Sequence, residues 1–441
     1  MVIITIMKVY LETIGCRLNE SEIEAMARQF VAEGHQIVAD AADAQLQILN
    51  TCAVTSDASR ASRQRIRQFR HAQPAAQIVV TGCYSELAQA EVEALPGVVH
   101  IVRNRDKGRL PSLLRDSGVI EAAAPVDAMD AEPLALDYRP GLVQGLGHTR
   151  AFVKVQDGCD NHCTFCVTRL ARGDGHSRPL ADVVREVQAL AEAGYQEAVL
   201  SGVQLGSYGE RPGGLRELVA ALLADTAMPR IRLSSLEPWE LDADFFALWA
   251  NPRLLPHLHL PLQSGCDTTL RRMRRRTSQA EYRALVTLAR AAIPDLALST
   301  DMICGFPGET DADFAESAAF CAEIGFMKLH VFPYSARPGT AAARLPDHVP
   351  TAVSKARVET LRQQSADAEN HYRQHWQGQP EAVLWENVIG AAPDGWINSG
   401  LTRHYVRVYW TGPEILTNRI TAVQLGQPQR DGLLAEPLDP A

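Results

Sequence analysis

A chain of 441 residues has room for about three domains with buried cores, and a composition of 46% hydrophobic and 22% charged residues is that of a soluble globular protein. No apolar run is long enough to span a membrane and no charged-then-apolar leader is read, so a cytoplasmic location is expected, with Met7 as an alternative start. Nine cysteines in that setting point to metal or reactive chemistry rather than disulfides, and a net charge of −9 leaves any nucleic-acid role to local patches.

Taken in order, the first segment alternates strand and helix. Lys8–Ile14 reads as a strand, followed by Gly15-Cys16 and a helix over about 20–33. Gln45–Asn50 leads to Thr51-Cys52 and a helix over about 57–71. Ala76–Thr81 leads to Gly82-Cys83 and a helix over about 85–95, and Val98–Val102 closes the series. Such alternation predicts a parallel sheet. Cys16, Cys52 and Cys83 then share one topological place, past a strand's carboxyl end and before a helix, the edge where open α/β sheets build sites. Helix N-termini favour thiolate over thiol. One cysteine there is an inert core residue more often than a ligand, but three equivalent ones read as a metal cluster. On the second helix Arg60, Arg63, Arg67 and Arg70 share a face, which suits phosphates or is simply a solvated face.

Residues 117–148 lack periodicity and read as a linker. From there strands are expected at Ala151–Gln156, Glu197–Val203, Arg230–Ser235, His257–Leu262, Ala297–Phe306 and Met327–Tyr334. Helices separate them at about 179–193, 214–225, 242–250, 278–292 and 311–323. Six such units predict a partial TIM-like barrel with its active face at the strands' carboxyl ends. Directly after its first strand stands Cys159-x3-Cys163-x2-Cys166, a spacing that can give three thiolates to three irons of one cubane and leave the fourth iron open. A structural zinc knot with a distant fourth ligand is the bland alternative. Cys266, Cys304 and Cys321 fit no such motif and read as structural. The run Arg271–Arg276 reads as a phosphate contact or a solvated helix start. A helix over 353–376 follows. Beyond Gly378, Pro380–Trp385, His404–Trp410 and Ile420–Leu425 are short alternating strands of a small barrel.

These motifs carry a resemblance. Cys159-x3-Cys163-x2-Cys166, with Phe165 before the last cysteine, resembles the radical-SAM signature, in which the open iron chelates S-adenosylmethionine. Thr13–Asn19, Asn50–Thr55 and Val80–Tyr84 resemble the three cysteine motifs of radical-SAM methylthiotransferases, and the last segment is similar to their RNA-binding TRAM barrel. The resemblance runs over almost the whole chain. It implies a methylthiotransferase domain over 1–116, a linker, a radical-SAM core over 149–376 and a TRAM-like barrel over 377–441. It implies two [4Fe-4S] clusters, one on Cys159, Cys163 and Cys166 and an auxiliary one on Cys16, Cys52 and Cys83. One S-adenosylmethionine would methylate a sulfur of the auxiliary cluster. A second would yield the 5'-deoxyadenosyl radical, whose hydrogen abstraction lets the substrate carbon take the methylthio group.

Family likeness also assigns Phe165, Ser201, Gly202, Ser235, Glu237, Gln263 and Gly305 to S-adenosylmethionine, with Gly305 letting backbone approach the adenine. No general acid or base is assigned. Trp396, Arg403, His404, Tyr405 and Arg407 would stack bases and meet phosphates. Among the family's substrates, Arg232–Pro238 and Leu329–Thr340 resemble the branch acting on N6-threonylcarbamoyladenosine in tRNA, where Arg337 would suit the nucleoside's carboxylate. Isopentenyladenosine in tRNA and an aspartate of a small-subunit ribosomal protein are the alternative acceptors. A non-catalytic RNA-binding protein with structural metal, or an enzyme using its second cluster only as an electron relay, are the alternatives of another kind. The partners implied are tRNA, an electron donor and a sulfur source. One departure stands out: Arg169 occupies the place of the family's usual proline, while Arg172 and Gly173 remain.

Overall fold

The computed structural model describes residues 6–121, 149–210 and 213–438. Most of the linker read over 117–148 lies outside the described residues; of its first residues, Ile120 is buried in the first unit's core.

Five parallel strands form the first sheet, in the spatial order Gln36–Ile37, Lys8–Thr13, Leu46–Thr51, Gln77–Gly82, Val98–Val102. Consecutive residues of a strand face opposite sides, so Ile48 and Val79 pack under the helix Arg17–Ala32 while Leu49 and Val80 pack under the helix Ser56–Ala72. The two-residue edge strand was not legible in the sequence. The first helix starts three residues before the expected point, because the carbonyl of Cys16 already accepts from the amide of Glu20 at 3.2 Å. The helix expected over 85–95 breaks at Ala88 into Cys83–Leu87 and Gln89–Glu93.

The central unit carries six parallel strands in two hydrogen-bonded halves. Arg150–Lys154, Glu197–Ser201 and Arg230–Leu233 make one, and His257–His259, Ala297–Cys304 and Lys328–Pro333 the other. A parallel bridge between Ser235 and His259, with the Leu236 amide donating to the His259 carbonyl at 3.0 Å, joins the halves into the partial barrel. One continuous apolar core lies between these strands and their helices. The helix Asp267–Met273 is an addition to the expected set. Along the last strand runs the helix Thr351–Trp376, whose Ser365 hydroxyl accepts from the Leu329 amide at 2.9 Å. The helix Arg17–Ala32 lies against the barrel's opposite edge strand, Arg150–Lys154.

The final segment is a closed five-stranded barrel of Pro380–Ala392, Gly395–Thr402, Arg407–Gly412, Ile420–Gln429 and Gly432–Pro437. Two of its strands, Gly395–Thr402 and Gly432–Pro437, add to the three read from sequence. Closure satisfies strand edges that three strands would leave bare. Trp385 fills the interior, its indole N–H donating to the Thr421 hydroxyl at 2.8 Å.

Candidate active site

Three loops at the carboxyl edge of the first sheet bring Cys16, Cys52 and Cys83 onto one cavity of about 440 Å3. Two glycines permit the approach. Gly82 has φ +107°, and a Cβ there would stand 2.2 Å from the carbonyl oxygen of Thr51; Gly15 has φ +133°, and its Cβ would meet that of Cys52 at 2.8 Å. Both positions lie in the region that disfavours any side chain. Cys16 caps the helix Arg17–Ala32 and Cys83 opens the helix Cys83–Leu87, while the Val54 amide points at the Cys52 sulfur at 3.5 Å. Burial raises the Cys16 thiol against the pull of Arg172 and pushes Cys52 up to about 11.

The second triad sits on the loop after the barrel's first strand. That loop is tied down by the Cys159 amide donating to Gly173 at 3.1 Å and the Thr164 amide donating to Met273 at 3.0 Å. Each sulfur has a donor: the Asn161 amide to Cys159 at 3.4 Å, the Thr168 amide to Cys166 at 3.4 Å, and the Arg275 guanidinium to Cys163 at 3.7 Å. Burial pushes Cys159 up to about 12 and raises Cys163. Thiols so buried keep their protons at neutral pH until a metal displaces them. Cys166 lines the same cavity as the first triad.

Both triads fit iron–sulfur clusters by their donor chemistry: three thiols each, amide or guanidinium donors on the sulfurs, and a buried arginine beside each group. The remaining cysteines are buried elsewhere, Cys321 against Met302 and Cys266 against Asp313. Among the described residues no three His, Cys, Asp or Glu side chains converge as a single metal ion requires.

Between the triads runs a buried charge network. The Glu22 carboxylate accepts from Arg172 at 2.8 Å, Lys107 at 2.5 Å and Lys154 at 3.1 Å, and Asp157 accepts from Arg172 at 3.0 Å. Burial alone would raise Glu22, but Lys107, Arg172 and Lys154 outweigh it and hold the carboxyl well below the usual range. Arg169, the departure from the family pattern, is at the second residue of the helix Thr168–Arg172, where proline and other residues are both tolerated. Its side chain turns out to His162 and Asp174.

The other residues singled out in the sequence fall as follows. Phe165, Glu237 and Gln263 line the thiol cavity, Gly202 and Ser235 line it and its neighbour, and Ser201 lines only the neighbour. Glu237 pairs with Arg275 at 2.7 Å, so one arginine of the run 271–276 is buried in the site. At Gly305 the close neighbour is Ser354 of the long helix, 2.5 Å from an ideal Cβ. Arg60 pairs with Asp57 and Arg63 with Glu91, while Arg70 donates to the Pro74 carbonyl and no partner is seen for Arg67 among the described residues. Arg337 donates to Ser59 at 3.0 Å and lies in the field of Cys52. Arg403 donates to the Pro252 carbonyl, and Tyr405 points inward from the small barrel to the cavity beside the thiol site rather than out to solvent. Sequence reasoning missed Glu22, Lys107 and Asp157; Gln204, the end of the segment Ser201–Gln204 that resembles a contact to S-adenosylmethionine, has its amide oxygen 3.2 Å from the Cys159 sulfur.

Comparison with known proteins agrees with this architecture. Residues 8–103 match a family described as uncharacterized protein family UPF0004, and residues 153–321 match the radical SAM superfamily. The chain is 34% identical over 430 residues to the threonylcarbamoyladenosine tRNA methylthiotransferase MtaB of Bacillus subtilis, covering 95% of this chain and 94% of that one. It is 33% identical to the Thermotoga maritima protein of the same name, covering 92% of each. The tRNA-2-methylthio-N(6)-dimethylallyladenosine synthase of Cereibacter sphaeroides is 34% identical, covering 94% of this chain and 96% of its own. Among solved structures, the radical S-adenosylmethionine methyltransferase TsrM of Kitasatospora setae shares the fold, with a TM-score of 0.55 at 16% identity over 77% of each chain. Two thiol triads with four of their cysteines on one cavity, a radical-SAM barrel and near-complete alignment with these enzymes place the chain in the radical-SAM tRNA methylthiotransferase family.

Proposed function

We propose that the chain converts N6-threonylcarbamoyladenosine beside the tRNA anticodon, at position 37, to its 2-methylthio derivative. The observation that carries this is that the whole first triad and Cys166 of the second open onto a single cavity, in a chain that aligns at about one third identity with five relatives of threonylcarbamoyladenosine specificity. In this reading Cys159, Cys163 and Cys166 hold one [4Fe-4S] cluster and Cys16, Cys52 and Cys83 the other. When bound, the clusters and S-adenosylmethionine supply the 5'-deoxyadenosyl radical and the methylthio group. The chain's own residues do the rest. Arg275 and Arg172 offset the negative charge of ligated thiolates, amides of Asn161, Thr168 and Val54 donate to sulfur, and the packed loops keep water from the reacting carbon. Glu237, Gln263, Ser235 and Gly202 border the space left for S-adenosylmethionine. The small barrel and the arginine face of the helix Ser56–Ala72 meet the RNA, and reduction and sulfur resupply come from outside partners. No helix among the described residues is long and apolar enough to cross a membrane.

The test is anaerobically reconstituted protein with S-adenosylmethionine, reductant and tRNA from cells lacking the activity, followed by mass spectrometry of the nucleosides. Appearance of 2-methylthio-threonylcarbamoyladenosine is expected. Conversion of isopentenyladenosine instead overturns the substrate and keeps the chemistry. Cys159→Ala should abolish 5'-deoxyadenosine formation, whereas Cys52→Ala should retain it and lose the methylthio product.

A further inference from the structure

Beside the thiol cavity lies a second and larger one of about 660 Å3, at the junction of the first unit, the barrel interior and the small barrel. The two share Cys16, Leu18, Gly202, Ser235, Asp301 and Phe332 as lining, so they are adjoining chambers of one space. Tyr405 forms part of the larger chamber's wall, held at φ +67° on the turn between two small-barrel strands. Its ring stacks on His257 at 4.6 Å and 21° between planes. Three arginines from two other units surround it: Arg232 at 4.7 Å, Arg17 at 5.3 Å and Arg150 at 5.7 Å from the ring centre. Arg17 and Arg150 both donate to the phenol oxygen.

Arginines cluster at this junction. Glu197 pairs with Arg232 at 2.7 Å, and Glu386 pairs with Arg150 at 2.7 Å and with Arg407 at 2.6 Å. Arg230, also buried here, finds only the carbonyls of Ala382 and Leu401. Glu20, Asp301, Glu369 and Asp431 also line the chamber, but none of them pairs with Arg17. Arg17 is half-buried, lines the chamber and pairs with no carboxylate among the described residues. Two neighbours feel these arginines. Burial alone would raise the Tyr405 phenol, yet Arg17, Arg150 and Arg232 draw it below its ordinary value; burial, then Arg232 and Arg17, holds His257 well below. A half-buried guanidinium with only a phenol as partner is a ready donor to an anion that enters the chamber.

We propose that Arg17, supported by the hydroxyl of Tyr405, is the specificity residue that binds the carboxylate of the substrate's threonylcarbamoyl arm. This rests on the substrate reading above. The arm branches from N6 on C6, on the same edge of the purine as C2, and only N1 separates C6 from C2. A base with C2 turned to the thiol cavity therefore sends its carboxylate into the adjoining chamber, where Arg17 directly follows Cys16 in the chain. A guanidinium is suited to a planar carboxylate by its paired donors, and an isopentenyl arm would gain nothing from it. Arg337, favoured in the sequence for this role, already donates to Ser59 on the far side of the thiol cavity.

The experiment is fluorescence anisotropy of reconstituted protein with two anticodon stem-loops, identical except for adenosine or threonylcarbamoyladenosine at the target position. Wild type should prefer the modified hairpin. Arg17→Ala should weaken that hairpin about tenfold or more, the scale of a lost charged hydrogen bond, and leave the unmodified one unchanged. Arg17→Lys should recover part of the loss, and Tyr405→Phe should show a smaller loss confined to the modified hairpin. Iron and sulfide content are measured on each variant; if Arg17→Ala loses its cluster, the lysine and phenylalanine variants decide. Equal weakening of both hairpins with a shallower salt dependence would assign the arginine to an RNA phosphate and overturn the proposal. So would loss of discrimination in Arg337→Ala with Arg17→Ala unaffected. A wild type that shows no preference and modifies isopentenyladenosine would instead fail the substrate reading itself.

Discussion

Replacing Glu22 by glutamine tests whether the buried charge network clamps the first unit to the barrel. Glu22 belongs to the first helix; it accepts from Lys107 and Asn50 of its own unit and from Lys154 and Arg172 of the barrel. The side chains of Glu22, Arg172 and Lys107 are 3%, 2% and 4% exposed, so solvent cannot take over for a missing carboxylate. Glu22→Gln keeps the shape but turns an amide donor toward cations, leaving Arg172 and Lys154 with Asp157 as their only carboxylate and Lys107 with the Asn50 amide oxygen. Breaking a buried pair on one side costs about 3–5 kcal/mol. A drop in Tm on the order of 10 °C is then expected in thermal melts of the cluster-free protein followed by circular dichroism. Glu12→Gln, which breaks the half-exposed pair with Arg65, is the control and should cost about 1 kcal/mol or less. The pH dependence has a definite sign. Glu22 and Asp157 are held below their ordinary values, so their contribution is complete above the unfolded-state value of about 4 and is lost as pH falls through that range. Glu22→Gln should flatten the fall of Tm below about pH 4. Equal Tm shifts for the two variants, or an unchanged acid limb, would refute the clamp.

Two further perturbations read the site locally. Gly82→Ala places a Cβ 2.2 Å from a backbone oxygen at a positive φ, so iron bound by the first triad should fall while Cys159-dependent 5'-deoxyadenosine formation persists; full iron content would show that the loops can part without cost. Arg275→Met removes the cation from Cys163 and from Glu237, and loss of a donor to a cluster sulfur lowers the reduction potential. A redox titration followed by electron paramagnetic resonance should show a more negative midpoint, and an unshifted midpoint would sever Arg275 from the cluster.

The proposed ligands were legible because they ride on periodicity. Cys16, Cys52 and Cys83 each end a run of alternating or apolar residues before a helical one, and parallel-sheet topology places such points on one edge without coordinates. What joins them was not legible. Glu22 meets Lys107 across 85 residues of sequence and Arg172 across 150, separations at which no local pattern reports a partner. The run Arg271–Arg276 shows the same limit from the other side. By composition it is one basic patch, yet Arg275 is buried on Glu237 while Arg272 reaches out to Gly308. Tyr405 was read as a surface aromatic because strand alternation is lost at its turn, and only the left-handed backbone there aims it into the chamber.

The geometry also accounts for how two triads on separately folded units can serve one reaction. The helix Thr168–Arg172 begins beside Cys166, whose sulfur faces Thr168, and ends with Arg172 in the field of Cys83 and hydrogen-bonded to Asn19 at 2.8 Å. At about 1.5 Å of rise per residue, five residues span roughly 7 Å, a covalent spacer between the two groups of thiols. Docking of the units then has one register that satisfies Arg172, because its partners Glu22, Asn19 and Asp157 come from both sides of the interface. A shift of the first unit by one turn of its helix would take Glu22 and Asn19 from the guanidinium and leave it Asp157 alone. The network therefore acts as a gauge: the fold is unsatisfied unless the two groups of thiols stand at this one separation. Stability and reactivity here depend on the same few buried charges.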